Sequence, residues 1–244
     1  MTDVVVLTGA GISTESGIPD YRGPAGLWRA DPDYQKLVTI DFYVADPAVR
    51  RRSWEFRRDS PAWDAAPNPA HRALVELERA GRLDRLITQN VDGLHRAAGT
   101  GAELLLELHG NMWGVACLSC PYRGTLREVL DRIDAGEDDP SCTACGGILK
   151  TTTVMFGESL DPDVLAEAIR SAKRCEVFVA IGTSLEVQPA ASLAGLAAAA
   201  GARLVIVNAE PTPYDHAAAE VIREPIGTAV PALVERLLGA SSER

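Results

Sequence analysis

The segment Val4-Val5-Val6-Leu7-Thr8-Gly9-Ala10-Gly11-Ile12-Ser13 decides the fold. Residues 4–7 are apolar, mostly β-branched and followed by glycine, which reads as a parallel strand buried on both faces. Gly-x-Gly just after such a strand lets the backbone approach a pyrophosphate, whose charge suits the amides of a helix start. The full G-x-G-x-x-G is absent. A tight strand-to-helix turn is the competing explanation of the two glycines.

Working outward, the same alternation recurs. Asn68 is a good helix N-cap, Pro69 a good first helical residue and Gly81 a good stop. Residues 85–88 and 104–108 read as strands. Asp161 and Pro162 start a helix with Val164, Leu165, Ala168, Ile169 and Ala172 on one face. Residues 176–181 and 204–207 read as strands, 192–200 as an Ala-rich helix and 231–238 as a last helix, with a frayed tail at 241–244. Residues 25–66 are irregular and aromatic and read as short helices. Alternating strands and helices predict an α/β fold: a Rossmann-like, doubly wound parallel sheet with helices on both faces. Ligands bind such sheets at the strands' C-terminal ends. The polar clusters at 9–13, 89–92, 182–184 and 208–210 all fall at those ends.

Cys117-x-x-Cys120 and Cys142-x-x-Cys145 have the spacing of a four-thiolate zinc site. Four sulfurs leave no place for a water, so the expected role is structural. A module of this size has little core of its own, and metal binding would supply its folding energy. The fifth cysteine, Cys175, sits at a helix-to-strand junction and reads as a small buried hydrophobe. An odd cysteine count argues against a disulfide framework.

The chain has 244 residues, 46% hydrophobic and 24% charged, and a net charge of −10. That composition is globular and can bury a sizeable core. No apolar run is long enough to span a bilayer. The acidic balance argues against a grip on nucleic acid and is compatible with steering lysine-rich partners. The N-terminus enters a strand at once and shows no targeting peptide, so a cytoplasmic location is expected. His109 ends a strand and precedes glycine, a candidate general base. His71 and His95 read as structural, and His216 as exposed.

The string 9–23, Gly-Ala-Gly-Ile-Ser-Thr-Glu-Ser-Gly-Ile-Pro-Asp-Tyr-Arg-Gly, resembles the cofactor loop of the sirtuins, the NAD-dependent protein-lysine deacylases. Thr88-Gln89-Asn90-Val91-Asp92-Gly93-Leu94-His95 is similar to their second signature, and His109-Gly110-Asn111 to the segment bearing their catalytic histidine. The cysteine pairs, Phe156-Gly157-Glu158, Gly182-Thr183-Ser184 and Val207-Asn208-Ala209-Glu210 follow in family order.

The resemblance implies one catalytic domain over 1–244. It would comprise a Rossmann-like part (about 1–24, 67–112 and 150–240), a helical insertion (about 25–66) and a zinc module (about 113–149). It implies NAD as a consumed co-substrate and one structural zinc on Cys117, Cys120, Cys142 and Cys145. His109 and Asn90 would be catalytic. Gly9, Ala10 and Gly11 would approach the diphosphate, and Asp20, Tyr21 and Arg22 would close over the nicotinamide ribose. Gln89 would bind that ribose, and Asn90 and Asp92 the carboxamide. Gly182, Thr183, Ser184, Asn208 and Glu210 would surround the adenosine, bordered by Ile226 and Gly227. Val154, Phe156 and Gly157 would line the peptide groove.

The implied reaction is transfer of an acyl group, acetyl first of all, from a protein lysine, giving nicotinamide and O-acyl-ADP-ribose. His109 would take a proton from a ribose hydroxyl. The implied partners are acylated lysine proteins, with no nucleic acid, no membrane and a monomeric enzyme. Tyr21 stands where the family often has Phe, and Met155 where an aromatic is common. The Tyr-x-x-Arg pair of succinyl-selective members is missing around 54–58, which points to neutral acyl groups. Mono-ADP-ribosyl transfer and a non-enzymatic zinc adaptor are the competing readings.

Overall fold

The structure, a computed structural model, describes residues 4–23, 26–31 and 33–239. Strand β1 (Val4–Thr8) runs into a 3₁₀ helix, Ala10–Ser16. Helices α1 (Leu27–Ala30), α2 (Tyr34–Leu37), α3 (Ile40–Ala45) and α4 (Pro47–Arg58) follow. Next come α5 (Pro69–Arg79), β2 (Leu83–Thr88), α6 (Leu94–Ala98) and β3 (Leu105–Glu107). A second segment holds β4 (Gly114–Cys117), β5 (Arg123–Thr125), α7 (Leu126–Asp134) and β6 (Leu149–Thr151). The chain then forms α8 (Pro162–Arg174), β7 (Val177–Ile181), α9 (Ser192–Ala199), β8 (Arg203–Val207), β9 (Glu220–Ile222) and α10 (Ile226–Gly239).

Six strands make one sheet in the order β3-β2-β1-β7-β8-β9, with every neighbouring pair parallel. The chain winds outward from β1 in one direction and from β7 in the other. The crevice between those two strands is therefore the topological switch point, where such sheets bind ligands. Side chains alternate across β1 with a period of two. Val4 and Val6 pack with Leu74 and Leu77 of α5 and with Val230 and Leu233 of α10. Val5 and Leu7 pack on the other face with Ala168 and Ala172 of α8 and Leu193 and Ala197 of α9. Both faces are covered, which is why β1 is an unbroken apolar run.

Local signals explain the helix boundaries. Asn68 Oδ1 accepts from the N–H groups of Ala70 (3.0 Å) and His71 (3.4 Å), and His71 Nδ1 accepts the Asn68 N–H in return. Gly81 follows the helix at φ +65°, where a side chain would be strained. Two expectations need correction. The last helix begins at Ile226 and carries Pro231 inside it. It gives up the one hydrogen bond that proline cannot donate, and the packing of Ala229, Val230, Leu233, Val234 and Leu237 offsets that loss. The residues after Gly9 form a 3₁₀ helix that Gly17, at φ +87°, ends at Ser16. The tail at 241–244 lies outside the described residues.

A second, antiparallel sheet has the order β5-β4-β6. Its core, Val115, Leu126, Val129, Leu130 and Leu149, is continuous with Tyr43 and Trp54 of α3 and α4. Tyr43 Oη donates to the Leu149 carbonyl at 2.7 Å, tying the helices to β6. Among the described residues no helix is long and apolar enough to cross a membrane.

Candidate active site

A cavity of about 890 Å³ opens at the C-terminal ends of β1, β2, β7 and β8. Its far walls come from α1, α2, α4 and the segment after β6. Three loops meet at its floor. The Gly9 N–H donates to Ile181 O (3.0 Å) and the Gly11 N–H to Gly182 O (2.9 Å). A Cβ on Gly9 would lie 2.7 Å from Gly182 O, and one on Gly11 2.8 Å from Gly182 Cα. Gly182 itself sits at φ +60°, and a Cβ there would be 2.4 Å from Ile12 N. The glycines at 9 and 11 are thus demanded first by loop-to-loop packing across the switch point. The same packing leaves a bare backbone wall on which a diphosphate can rest.

The loop after β2 is fixed by its polar side chains. Asn90 Nδ2 donates to Gly9 O (3.1 Å) and to Ser13 Oγ (3.2 Å). Ser13 Oγ donates to Asp92 Oδ2 (2.7 Å), and Asp92 Oδ1 accepts the Leu94 N–H (2.8 Å). Burial pushes the Asp92 carboxyl up, against those two hydrogen bonds. Gln89 Nε2 donates to Thr183 Oγ1 at 3.0 Å, joining the β2 and β7 loops. Beneath them, Thr8 Oγ1 lies 2.9 Å from His95 Nε2 and donates to Thr88 Oγ1 at 2.8 Å. Thr88 Oγ1 in turn accepts the Asn90 N–H at 3.0 Å.

His109 lines the same cavity. Its Nδ1 lies 2.9 Å from Gln89 O. A carbonyl only accepts, so Nδ1 carries the hydrogen and Nε2 keeps the lone pair a base needs. Desolvation lowers the imidazole below the usual histidine range, and the Gln89 carbonyl pulls weakly the other way. The ring is therefore neutral near pH 7.

The His109 carbonyl accepts the Val154 N–H at 2.8 Å, so the segment after β6 runs beside this histidine. Phe156 pairs with the α2–α3 connection: its N–H donates to Val38 O (2.8 Å), and its carbonyl accepts from Ile40 N (3.0 Å). Its ring is 44% exposed, and Trp28 stands 6.0 Å away. Gly157 follows at φ +93°. Tyr21, Arg22 and Asp20 line the same cavity, with Tyr21 6.1 Å from Trp28. Arg22 pairs with Glu186, reaches Ser184 Oγ at 3.4 Å and stacks over Trp28 at 4.6 Å.

The structure thus gathers nearly every residue expected at the site. Gly9, Ala10, Gly11, Asp20, Tyr21, Arg22, Gln89, Asn90, Asp92, His109, Val154, Phe156, Gly157, Gly182, Thr183, Ser184, Asn208 and Glu210 all line one cavity. Ile226 and Gly227 stand apart at the start of α10, where the Gly227 N–H donates to Glu15 Oε1 at 2.7 Å. Three contributors escaped the sequence reading. Ser13 was visible only as part of the glycine loop. Trp28 and Arg57 lie in the irregular helical stretch, where no periodicity marks an inward face.

The four cysteines, Cys117 at the end of β4 and the others in the connections to β5 and β6, converge. Cys117 Sγ and Cys145 Sγ are 3.6 Å apart, as are Cys120 Sγ and Cys142 Sγ, and all four lie within 4.8 Å of one another. A tetrahedral zinc with bonds of about 2.3 Å needs sulfur–sulfur edges of about 3.8 Å. The donor set fits the ion, and the Ser119 N–H already donates to Cys117 Sγ at 3.3 Å.

The Sir2 family profile matches residues 9–189, three quarters of the chain, including the loops after β1, β2 and β7, His109 and the four cysteines. The chain belongs to the Sir2 family. It is 62% identical over 234 residues to NAD-dependent protein deacetylase 2 of Streptomyces coelicolor, covering 96% of this chain and 97% of that protein. It is 43% identical over 243 residues to NAD-dependent protein deacylase 2 of Archaeoglobus fulgidus, covering 98% and 93%. A Sir2 structure holding a p53 peptide and NAD⁺ superposes with a TM-score of 0.85 at 34% identity, over 99% of this chain and 94% of that one. Another, with deacetylated p53 peptide and 3'-O-acetyl-ADP-ribose, gives a TM-score of 0.87 at 35% identity, over 98% and 93%.

Proposed function

We propose that this Sir2-family chain removes acyl groups, acetyl foremost, from protein lysines with consumption of NAD, and that His109 is its general base. One observation carries the assignment of the base. His109 lies in a single cavity with the glycine loops and the Phe156 groove, its tautomer fixed with Nε2 free. NAD supplies an electrophilic ribose carbon with nicotinamide as leaving group. The cavity suits it in size, and the bare Gly9–Gly11 wall suits its diphosphate.

The chain's own residues divide the work. Asn90, Ser13 and Asp92 form a buried polar corner that holds an amide. Gln89 spans the β2 and β7 loops, where a ribose would sit. Arg22, Tyr21 and Asp20 close over the rim, and Thr183, Ser184, Asn208 and Glu210 border the adenosine end, with Ile226 and Gly227 beyond it. Val154, Phe156 and Gly157 border the groove, where Phe156 presents an exposed ring and an extended lysine peptide can lie alongside as a strand. His109 Nε2 accepts a proton from a hydroxyl brought against it.

The zinc is structural, because four thiolates complete its coordination. The chain works as a single domain over 1–244, divided near 25, 67, 113 and 150. The acidic surface supports a monomeric cytoplasmic transferase that acts on acylated proteins away from nucleic acid and membranes. Mass analysis of an acetyl-lysine peptide incubated with protein and NAD tests the reading. Loss of the acetyl group with formation of acetyl-ADP-ribose is expected. Gain of ADP-ribose by the peptide, with the acetyl group retained, would refute it.

A further inference from the structure

Two imidazoles lie beneath the loops of the site and border no part of the cavity: His71, fully buried on α5, and His95, 2% exposed on α6. Their ring centroids are 4.8 Å apart. Each ring has one nitrogen with a partner and one without. His71 Nδ1 accepts the Asn68 N–H, so its hydrogen is on Nε2. The Thr8 hydroxyl donates its one hydrogen to Thr88 Oγ1, so at 2.9 Å it accepts from His95 Nε2–H, and His95 Nδ1 is bare. The nitrogens left over are a donor, His71 Nε2, and an acceptor, His95 Nδ1. Both are buried and, among the described residues, unpartnered. Buried polar groups are ordinarily satisfied, and these two complement each other. A hydrogen bond between them, direct or carried by one water, satisfies both.

That bond completes a chain that runs one way. The Asn68 N–H donates to His71, His71 to His95, His95 to Thr8 and Thr8 to Thr88, whose Oγ1 also accepts the Asn90 N–H at 3.0 Å. Both ends hold the glycine loop. At one end Asn68 Nδ2 donates to Ile12 O (2.7 Å) and to Ser16 Oγ (3.1 Å). At the other, Asn90 Nδ2 donates to Gly9 O and Ser13 Oγ. Both rings must be neutral, since an added proton would set donor against donor. Burial keeps them so, with Arg72 acting in the same direction on His71, and His71 on His95.

We infer that His71 and His95 are positioning residues: a one-way hydrogen-bond chain through both rings fixes Asn90 and the 9–16 loop in the geometry that receives NAD. The inference rests on the deacylase reading and adds to it residues that border no part of the cavity.

The unmodified protein is tested first, by long-range proton–nitrogen NMR of its imidazoles at pH 7. Hydrogen on Nε2 of both rings is expected. Hydrogen on Nδ1 of either ring would overturn the inference, whether or not any variant folds. Thr8→Val then cuts the chain, whereas Thr8→Ser keeps the hydroxyl. Loss of the hydrogen bond should raise the KM for NAD by about 3- to 10-fold in Thr8→Val, and Thr8→Ser should restore most of it. A merely structural role would lower the melting temperature and leave that KM alone, so an unchanged KM in folded Thr8→Val would overturn the inference. His71→Leu cuts the same chain at its far end. Added to Thr8→Val, it should change the KM by no more than about twofold, because the chain is already broken; effects that multiply would mean independent sites and refute the chain. Wrong proton positions with NAD turnover intact would sink only this inference, whereas an unmodified protein that neither binds nor turns over NAD would remove the deacylase reading.

Discussion

Replacing Cys142 with serine tests how far the zinc site holds the molecule together. Cys142 is 2% exposed and shares the sulfur cluster with three other thiols. The strands it anchors are three or four residues long, too short to persist alone. What they bury is Val115, Leu126, Val129, Leu130 and Leu149, each at most 2% exposed. Each such side chain is worth about 1.5–3 kcal/mol when kept from water. Structural zinc in small modules contributes about 10–16 kcal/mol at neutral pH, as much as the whole stability of a typical domain. Unfolded cysteines still bind some metal, which discounts that figure. A net loss of at least about 4 kcal/mol remains, equivalent to roughly 8–16 °C in a chain of this size. Calorimetry with zinc quantified by mass spectrometry reads both quantities. A zinc-free Cys142→Ser protein melting within about 2 °C of the parent would refute the argument.

Other perturbations address the cavity itself. His109→Ala should lower turnover by about 10²–10⁴-fold, the usual contribution of a general base, while NAD binding by calorimetry stays close to the parent. Activity needs the neutral imidazole and should be lost as pH falls. Because burial holds His109 below 6.5, the acid limb of the pH–rate profile should lie under that value, and a limb above pH 7 would contradict the assignment. Gly11→Ala places a methyl 2.8 Å from Gly182 Cα. Overpacking of that kind costs about 1–3 kcal/mol, so the melting temperature should fall by roughly 2–12 °C and the KM for NAD should rise; an unchanged KM would argue against the diphosphate wall. His71, fully buried, is held down to about 4 by desolvation. The unfolded chain protonates it first, so the fold should lose stability as pH drops below 6.5, by roughly 3 kcal/mol at pH 4 from this group; His71→Gln should flatten that part of the stability–pH curve.

The buried sheet was legible because its strands are short apolar runs closed by glycine or polar residues. No periodic pattern could place β9, Glu220–Ile222, an edge strand whose residues are all half-buried. The second sheet hid for a related reason. Its strands are three or four residues long and held by backbone pairing such as Cys117 with Leu149, too short to show an alternating pattern. The site was legible wherever its residues cluster in sequence behind a strand. Arg57 was not, because no periodicity marks the inward face of the helical stretch that carries it. Pro231 misled in the opposite direction: a strong local signal for a helix start was overridden by packing against α5.

The two sheets act together at His109. Gly110 is at φ +65°, and a Cβ there would stand 2.1 Å from Thr152 O. Only glycine lets the 109–111 turn press against the segment after β6. Thr152 Oγ1 donates to Asn111 O at 2.9 Å, its N–H donates to Gly114 O at 2.8 Å, and the Val154 N–H reaches the His109 carbonyl. Each bond runs between the turn that carries the base, or the strand that follows it, and the chain leaving β6. That chain owes its place to the cysteine cluster, through the pairing of β6 with β4. Gln89 fixes the ring of His109 from the side of the parallel sheet, and the zinc-held sheet fixes its backbone from the other. A metal held by those cysteines would therefore contribute to where the proposed base stands.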